Sequence, residues 1–180
     1  MEKIIEGLEE DLKNIIEGKS PKPLRKEFGD IADIRLLRMV VFSLQWASVG
    51  YQSALRLAGM KLGKRLGTNC EKSELSLILE EIKKIFEYLR EGRIEIEIMP
   101  KMKGVQLKIY ESSLTAGVPN ILQNLCFFEE GFIEGYLDGV ISKQRSIVIA
   151  GAEGAIKDVS VEEKRCIGLG DDFCGFLIKF

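Results

Sequence analysis

The segment ILQNLCFFEEGFIEGYLDGVI, introduced by Pro119 and Asn120, repeats apolar residues at helical spacing, yet places glycine at 131, 135 and 139. Each glycine costs a helix about 0.5–1 kcal/mol relative to alanine. A helix from about Asn120 to Ile141 therefore survives only where its bare stripe meets something at backbone distance: a sheet, another helix or a second subunit. Phe127, Phe128, Phe132 and Tyr136 supply bulk beside the stripe. Gly59 and Gly63, in AGMKLGKRLG, repeat the same spacing and let another backbone approach one face of an earlier helix. The fold must join such faces.

The rest of the pattern supplies the layers. Ile4, Ile5, Leu8, Leu12, Ile15 and Ile16 recur at helical spacing in residues 1–17, and the proline-containing GKSPKP that follows reads as an extended connector. This divides the chain into a helix and connector, 1–23, and a main domain, 24–180. Dense apolar residues from Asp30 to Leu66 predict one long helix or two consecutive ones, with Met39 to Phe42 an alternative strand. Ser73 to Leu89 predicts another helix, with Ser73 as its N-cap. In RIEIEIMP, isoleucines 94, 96 and 98 alternate with glutamates, and Val105, Leu107 and Ile109 alternate after a turn at Lys101 to Gly104. The two runs form an antiparallel hairpin. A short strand at Ile147 to Ile149 and a second hairpin, Ile156 to Arg165 with Phe173 to Phe180, complete an α+β class with an antiparallel sheet segregated from its helices.

Composition removes several functions. A net charge of −2 with dispersed Lys and Arg lacks the basic face that phosphate backbones need, so nucleic acid is not an expected partner. The longest apolar stretch, Met39 to Leu44, is far short of a bilayer span of about 20 residues, and the acidic amphipathic N-terminus differs from a secretory signal. The expectation is a cytoplasmic protein with no membrane contact. Histidine is absent, which removes His-dependent triads and the usual ligation of haem or catalytic zinc. The run G-x-x-x-G-K carries Arg65 where a nucleotide-binding loop needs Ser or Thr, and Gly168 and Gly170 lie in a hairpin, where they cannot serve a dinucleotide.

In a reducing compartment the four cysteines point to metal binding, catalysis or core packing. Cys166 and Cys174 flank the turn Ile-Gly-Leu-Gly-Asp-Asp-Phe, which brings their thiols together across adjacent strand ends. Cys126, near a helix start whose dipole favours a thiolate, supplies a third sulfur. A fourth donor, in the absence of histidine, is a carboxylate or water, and three thiolates with one oxygen suit Zn²⁺. Cys70 has no partner by pattern.

The C-terminal stretch EEKRCIGLGDDFCGFLIKF, preceded by CFFEEGFIEGYLDGV, resembles the 4-vinyl reductase domain family. That family includes archaeal hydrocarbon-binding proteins and the sensor domains of phenol- and toluene-responsive regulators. The match rests on Cys126, Gly131 and Gly135, Glu163 with Cys166, Gly168-Leu169-Gly170-Asp171, and Cys174. It implies a structural zinc bound by Cys126, Glu163, Cys166 and Cys174 beside an apolar ligand pocket. It also implies a four-stranded antiparallel sheet packed against helices, like the ligand-binding domains of nitric oxide sensing and Golgi transport proteins, and a homodimer. Glu163 and Cys166 point to opposite faces of a regular strand, so joint ligation requires a bulge or an early strand end, with Glu162 the alternative.

A closed four-ligand site braces a fold and leaves no open position for chemistry, so the chain is not expected to be an enzyme. The expected function is binding or sensing of a small hydrophobic molecule in the gap between helices and sheet, walled by Trp46, Leu107, Phe128, Phe132 and Val161. Output then passes to a protein partner. The alternatives are an accessory or carrier factor for a tetrapyrrole-modifying enzyme and a dimeric scaffold without ligand.

Overall fold

The computed structural model describes residues 2–27, 29–99, 104–149 and 155–180, apart from the side chains of Gln45 and Trp46. The chain separates into two units, 1–51 and 52–180. In the first, helix α1 spans Glu2–Ile16 and buries Leu12 and Ile15. Helix α2 spans Ile34–Ala47; Asp33 caps it by accepting the Arg35 backbone N–H at 2.8 Å.

The second unit is a helical layer on a sheet. Helix α3, Tyr51–Gly67, ends in Gly67, and helix α4, Leu75–Tyr88, turns Ile78, Leu79, Ile82, Ile85 and Phe86 inward. Glu74, not Ser73, stands at the α4 N-cap, and its side chain makes no cap bond. Strands β1, Arg93–Met99, and β2, Gly104–Tyr110, form the predicted hairpin with Ile96 opposite Leu107. Lys101 to Lys103 of the predicted turn lie outside the described residues.

Helix α5 spans Phe127–Gln144. It begins later than the sequence pattern suggests, because Leu122 adopts a positive φ of 60° and the preceding loop is held by the Ile121 and Gln123 N–H groups bonding to Gly168 O. A two-stranded ribbon follows, β3 Ile147–Val148 with β4 Ala155–Ile156. Strand β5 is then only Ser160–Arg165, so the predicted Ile156 to Arg165 strand is two separate pieces. Strand β6, Cys174–Lys179, inserts between β2 and β5. The sheet order is β1-β2-β6-β5, antiparallel throughout.

The inward sheet face carries Ile94, Val105, Leu107, Ile109, Val161, Phe176 and Ile178, all buried. The glycine stripe finds its partner in α3. A Cβ at Gly131, Gly135 or Gly139 would overlap the carbonyl oxygen of Arg56, Met60 or Lys64, and one at Gly59, Gly63 or Gly67 would overlap that of Phe128, Phe132 or Tyr136. Each helix thus presents its glycines to the other's carbonyls. Arg56 fastens the same pair by donating to Glu130 at 2.8 Å and Glu134 at 2.7 Å.

Candidate metal centre

Three elements deliver the four donors. Cys126 is the N-cap of α5, Glu163 lies on β5, Cys166 follows the end of β5, and Cys174 opens β6. The β5–β6 register shifts between Glu163 and Arg165, so a bulge supplies the change of face that joint ligation by Glu163 and Cys166 demands. A short 3-10 turn, Ile167–Leu169, then reverses the chain. Gly170 closes it at φ 92°, a conformation L side chains rarely adopt, and Asp171 pins it by accepting the Cys166 N–H at 2.9 Å.

The donor atoms of Cys126, Glu163, Cys166 and Cys174 lie within 4.8 Å of one another, and all four residues are buried. Cys126 Sγ is 3.0 Å from Cys174 Sγ, which is 4.0 Å from Cys166 Sγ. The Cys126 backbone N–H donates to Glu163 Oε2 at 3.3 Å, while Glu163 Oε1 is buried without a hydrogen-bond partner. Thr115 Oγ1 sits 3.3 Å from Cys174 Sγ. Glu162 is exposed and pairs with Lys164 and Lys179 instead.

Charge is distributed unevenly in this cluster. Hydrogen bonds from the Cys126 and Cys166 thiols pull Cys174 down to about 4. Those same contacts with Cys166 and Cys174, together with burial, push Cys126 well above the ordinary thiol range, so the helix N-terminus does not make Cys126 the thiolate. Burial, with the nearby Cys166, lifts Glu163 to about 9. Negative charge in the cluster is thus favoured on Cys174, while Glu163 holds its proton more tightly than an ordinary carboxyl.

This donor set fits a soft divalent ion. A tetrahedral zinc with Zn–S bonds of about 2.3 Å places sulfurs about 3.8 Å apart, close to the 4.0 Å between Cys166 and Cys174 and wider than the 3.0 Å between Cys126 and Cys174, and its charge would favour the deprotonated form of each donor and compensate the partnerless carboxylate oxygen. Such an ion would crosslink the start of α5 to both strands of the last hairpin.

Leu107, Phe132 and Val161, predicted as pocket walls, are buried between helix and sheet; Phe132 lies 5.4 Å from the Phe86 ring and 6.2 Å from that of half-buried Phe128. The Trp46 side chain lies outside the described residues. A cavity of about 240 Å³ opens between α4 and β1, lined chiefly by Leu75, Leu79, Ile96, Ile98 and Ile149. The acidic pair Glu129-Glu130, which in sequence reads as divergent helical neighbours rather than an acid/base pair, does separate, and Glu129 turns inward. It is 3% exposed, its Oε2 has no hydrogen-bond partner, and burial followed by the charge of Glu91 holds its carboxyl well above the usual range. Its neighbour Glu130 turns away to Arg56, the divergence expected of adjacent helical residues.

No family model matches the chain. A curated relative, an uncharacterized protein of Methanocaldococcus jannaschii, is 25% identical over 154 residues, covering 86% of this chain and 81% of its own. Among solved structures, a vinyl-4-reductase family protein from the same organism superposes with a TM-score of 0.56 at 21% identity over 99% of this chain and 96% of that one.

The fold is that of a vinyl-4-reductase family protein.

The phenol-responsive sensory domain of the transcription activator PoxR, solved with phenol, shares this vinyl-4-reductase fold at TM-score 0.56 and 15% identity, over 96% and 89% of the two chains. A trafficking protein particle complex subunit 3 from Naegleria fowleri, covalently bound to palmitic acid, matches at TM-score 0.54 and 20% identity, over 81% and 93%. An H-NOX protein from S. oneidensis aligns at TM-score 0.50 and 15% identity, over 94% and 88%. The α+β architecture expected from the sequence is thereby shown, along with its likeness to H-NOX and trafficking proteins. Among the described residues no helix is long and apolar enough to cross a membrane.

Proposed function

We propose that the chain is a non-catalytic binding domain for a small hydrophobic molecule, braced by a structural zinc held by Cys126, Glu163, Cys166 and Cys174. The observation that carries this reading is the buried cluster of four donor side chains; with all four on one ion it would brace the last hairpin and leave no free ligand position for chemistry. The ligand would lie between α5 and the sheet against Leu107, Phe128, Phe132 and Val161. Two neighbours of the same fold support it, one solved with phenol and one with palmitic acid. A cytoplasmic location and a protein partner for output belong to the same reading.

Native mass spectrometry of protein purified without added metal tests it directly. One zinc per chain and a thermal midpoint raised by phenol are the expected results; at a hundredfold excess over Kd the ligand adds about 2.7 kcal/mol. Metal-free protein of undiminished stability, together with no response to phenol, would overturn it.

A further inference from the structure

A carboxyl group taken out of water is costly unless a hydrogen bond or a positive charge meets it. Glu129, in the first turn of α5, is 3% exposed, and its Oε2 has no hydrogen-bond partner. Burial first, and then the charge of Glu91, raises its pKa, with Glu163 and Cys166 acting in the same direction. The side chains whose charges weigh most on it are thus negative when ionised.

The chain fixes Glu91 through its N–H, its carbonyl and both carboxylate oxygens. After α4 the backbone turns through Arg90 at φ 57°, and the Glu91 N–H donates to Phe86 O at 2.8 Å. Glu91 O accepts the Ser113 N–H at 2.7 Å. One carboxylate oxygen accepts the Ser112 hydroxyl at 2.8 Å and the other the Ser113 hydroxyl, and both serines are buried. Gly92 lets this segment lie against β2, since a Cβ there would overlap the Tyr110 carbonyl oxygen. A carboxyl that only sheltered a proton would need no such fixing, whereas a metal-ligating carboxylate is ordinarily oriented by outer hydrogen bonds of this kind. Each oxygen keeps acceptor capacity after taking one hydroxyl.

We propose that Glu91 and Glu129, with the Ser112 and Ser113 hydroxyls, bind a hard divalent cation of the Mg²⁺, Ca²⁺ or Mn²⁺ class. Every donor is oxygen, which suits these ions, while the thiols of Cys126, Cys166 and Cys174 suit a softer one. The cation would tie the end of α4 and the loop after β2 to the first turn of α5. This goes beyond the binding reading above, since it needs neither zinc nor ligand.

Mn²⁺ is the probe, followed by loss of its free EPR signal on adding the full chain, with zinc measured in the same samples. The wild-type protein should take up one Mn²⁺ per chain with a Kd below about 1 mM, displaced by excess Ca²⁺ or Mg²⁺ and with no zinc released. Glu129→Gln should abolish uptake and leave the thermal midpoint without Mn²⁺ equal or higher, because it removes a buried acid that lacks a partner. Ser112→Ala should weaken uptake by about tenfold or more. Glu10→Gln, at an exposed acid of α1, should leave it unchanged. No uptake by the wild type, uptake retained in Glu129→Gln, or Mn²⁺ entering one for one as zinc leaves would each overturn the proposal. Zinc content and phenol response, measured on the same samples, report separately on the binding reading.

Discussion

Cys126 Sγ and Cys174 Sγ lie 3.0 Å apart although 48 positions separate them in the chain. Only a fold that sets the cap of α5 on the first residue of β6 brings them so close. With Cys166 and Glu163 beside them, the contact joins helix and hairpin at one point.

Removing one donor should disable that point. Cys166→Ser is expected to lower zinc from one per chain to near zero and to cost at least about 3 kcal/mol, a fall of roughly 6–12 °C in thermal midpoint. Metal analysis with calorimetry checks it. Glu162→Gln, at an exposed residue outside the cluster, should change neither.

The interlocked glycines predict an inverted propensity effect. Gly135→Ala favours an isolated helix, yet its methyl would meet the Met60 carbonyl, backbone that cannot yield. Urea denaturation should show a net loss of about 2 kcal/mol. Gly7 in α1 has nothing within 4 Å of an added Cβ, so Gly7→Ala should stabilise by about 0.5–1 kcal/mol.

Arg56 holds two carboxylates on successive turns of α5, and Glu134 also accepts the Val161 N–H at 3.0 Å. A point charge cannot reproduce that fork, so Arg56→Lys should lose about 1 kcal/mol and Arg56→Ala about 2 kcal/mol in denaturant titrations.

Cys70 gives a pH dependence of definite sign. Burial, then the hydrogen bond with Glu81, pushes its thiol from the ordinary 9.0 to about 12. Between those values the folded chain keeps a proton that the unfolded chain releases, so stability falls as pH rises from 9 toward 12 and is unaffected by this group below 8. Cys70→Ala should flatten that slope in thermal melts, and iodoacetamide at pH 8 should leave Cys70 unmodified in the native protein.

Legibility from sequence followed the range of the forces involved. The alternation of isoleucines 94, 96 and 98 announced the first hairpin because burial on one face imposes a period of two. The glycine repeats announced a close backbone contact, but not its partner, since reading α3 against α5 requires knowing which two stripes meet. Glu163 was reachable only through family resemblance and a required bulge; the register shift that turns it inward is a property of β6 as much as of β5. The late start of α5 depended on Gly168 O drawing the loop at Ile121 and Gln123 across the turn, a tertiary contact with no local signal. The burial of Glu129 was hidden for the same reason: its charged neighbours, Glu91 and Glu163, come from other parts of the chain.

The α3–α5 pair also limits how the domain can move. With glycines every fourth residue on both helices, a slide of one or two residues would drive side chains into carbonyls, and only a jump of a whole turn, about 5.4–6 Å, restores the fit. Small displacements are therefore transmitted undamped. Whatever nudges α5 carries α3 along as a rigid lever.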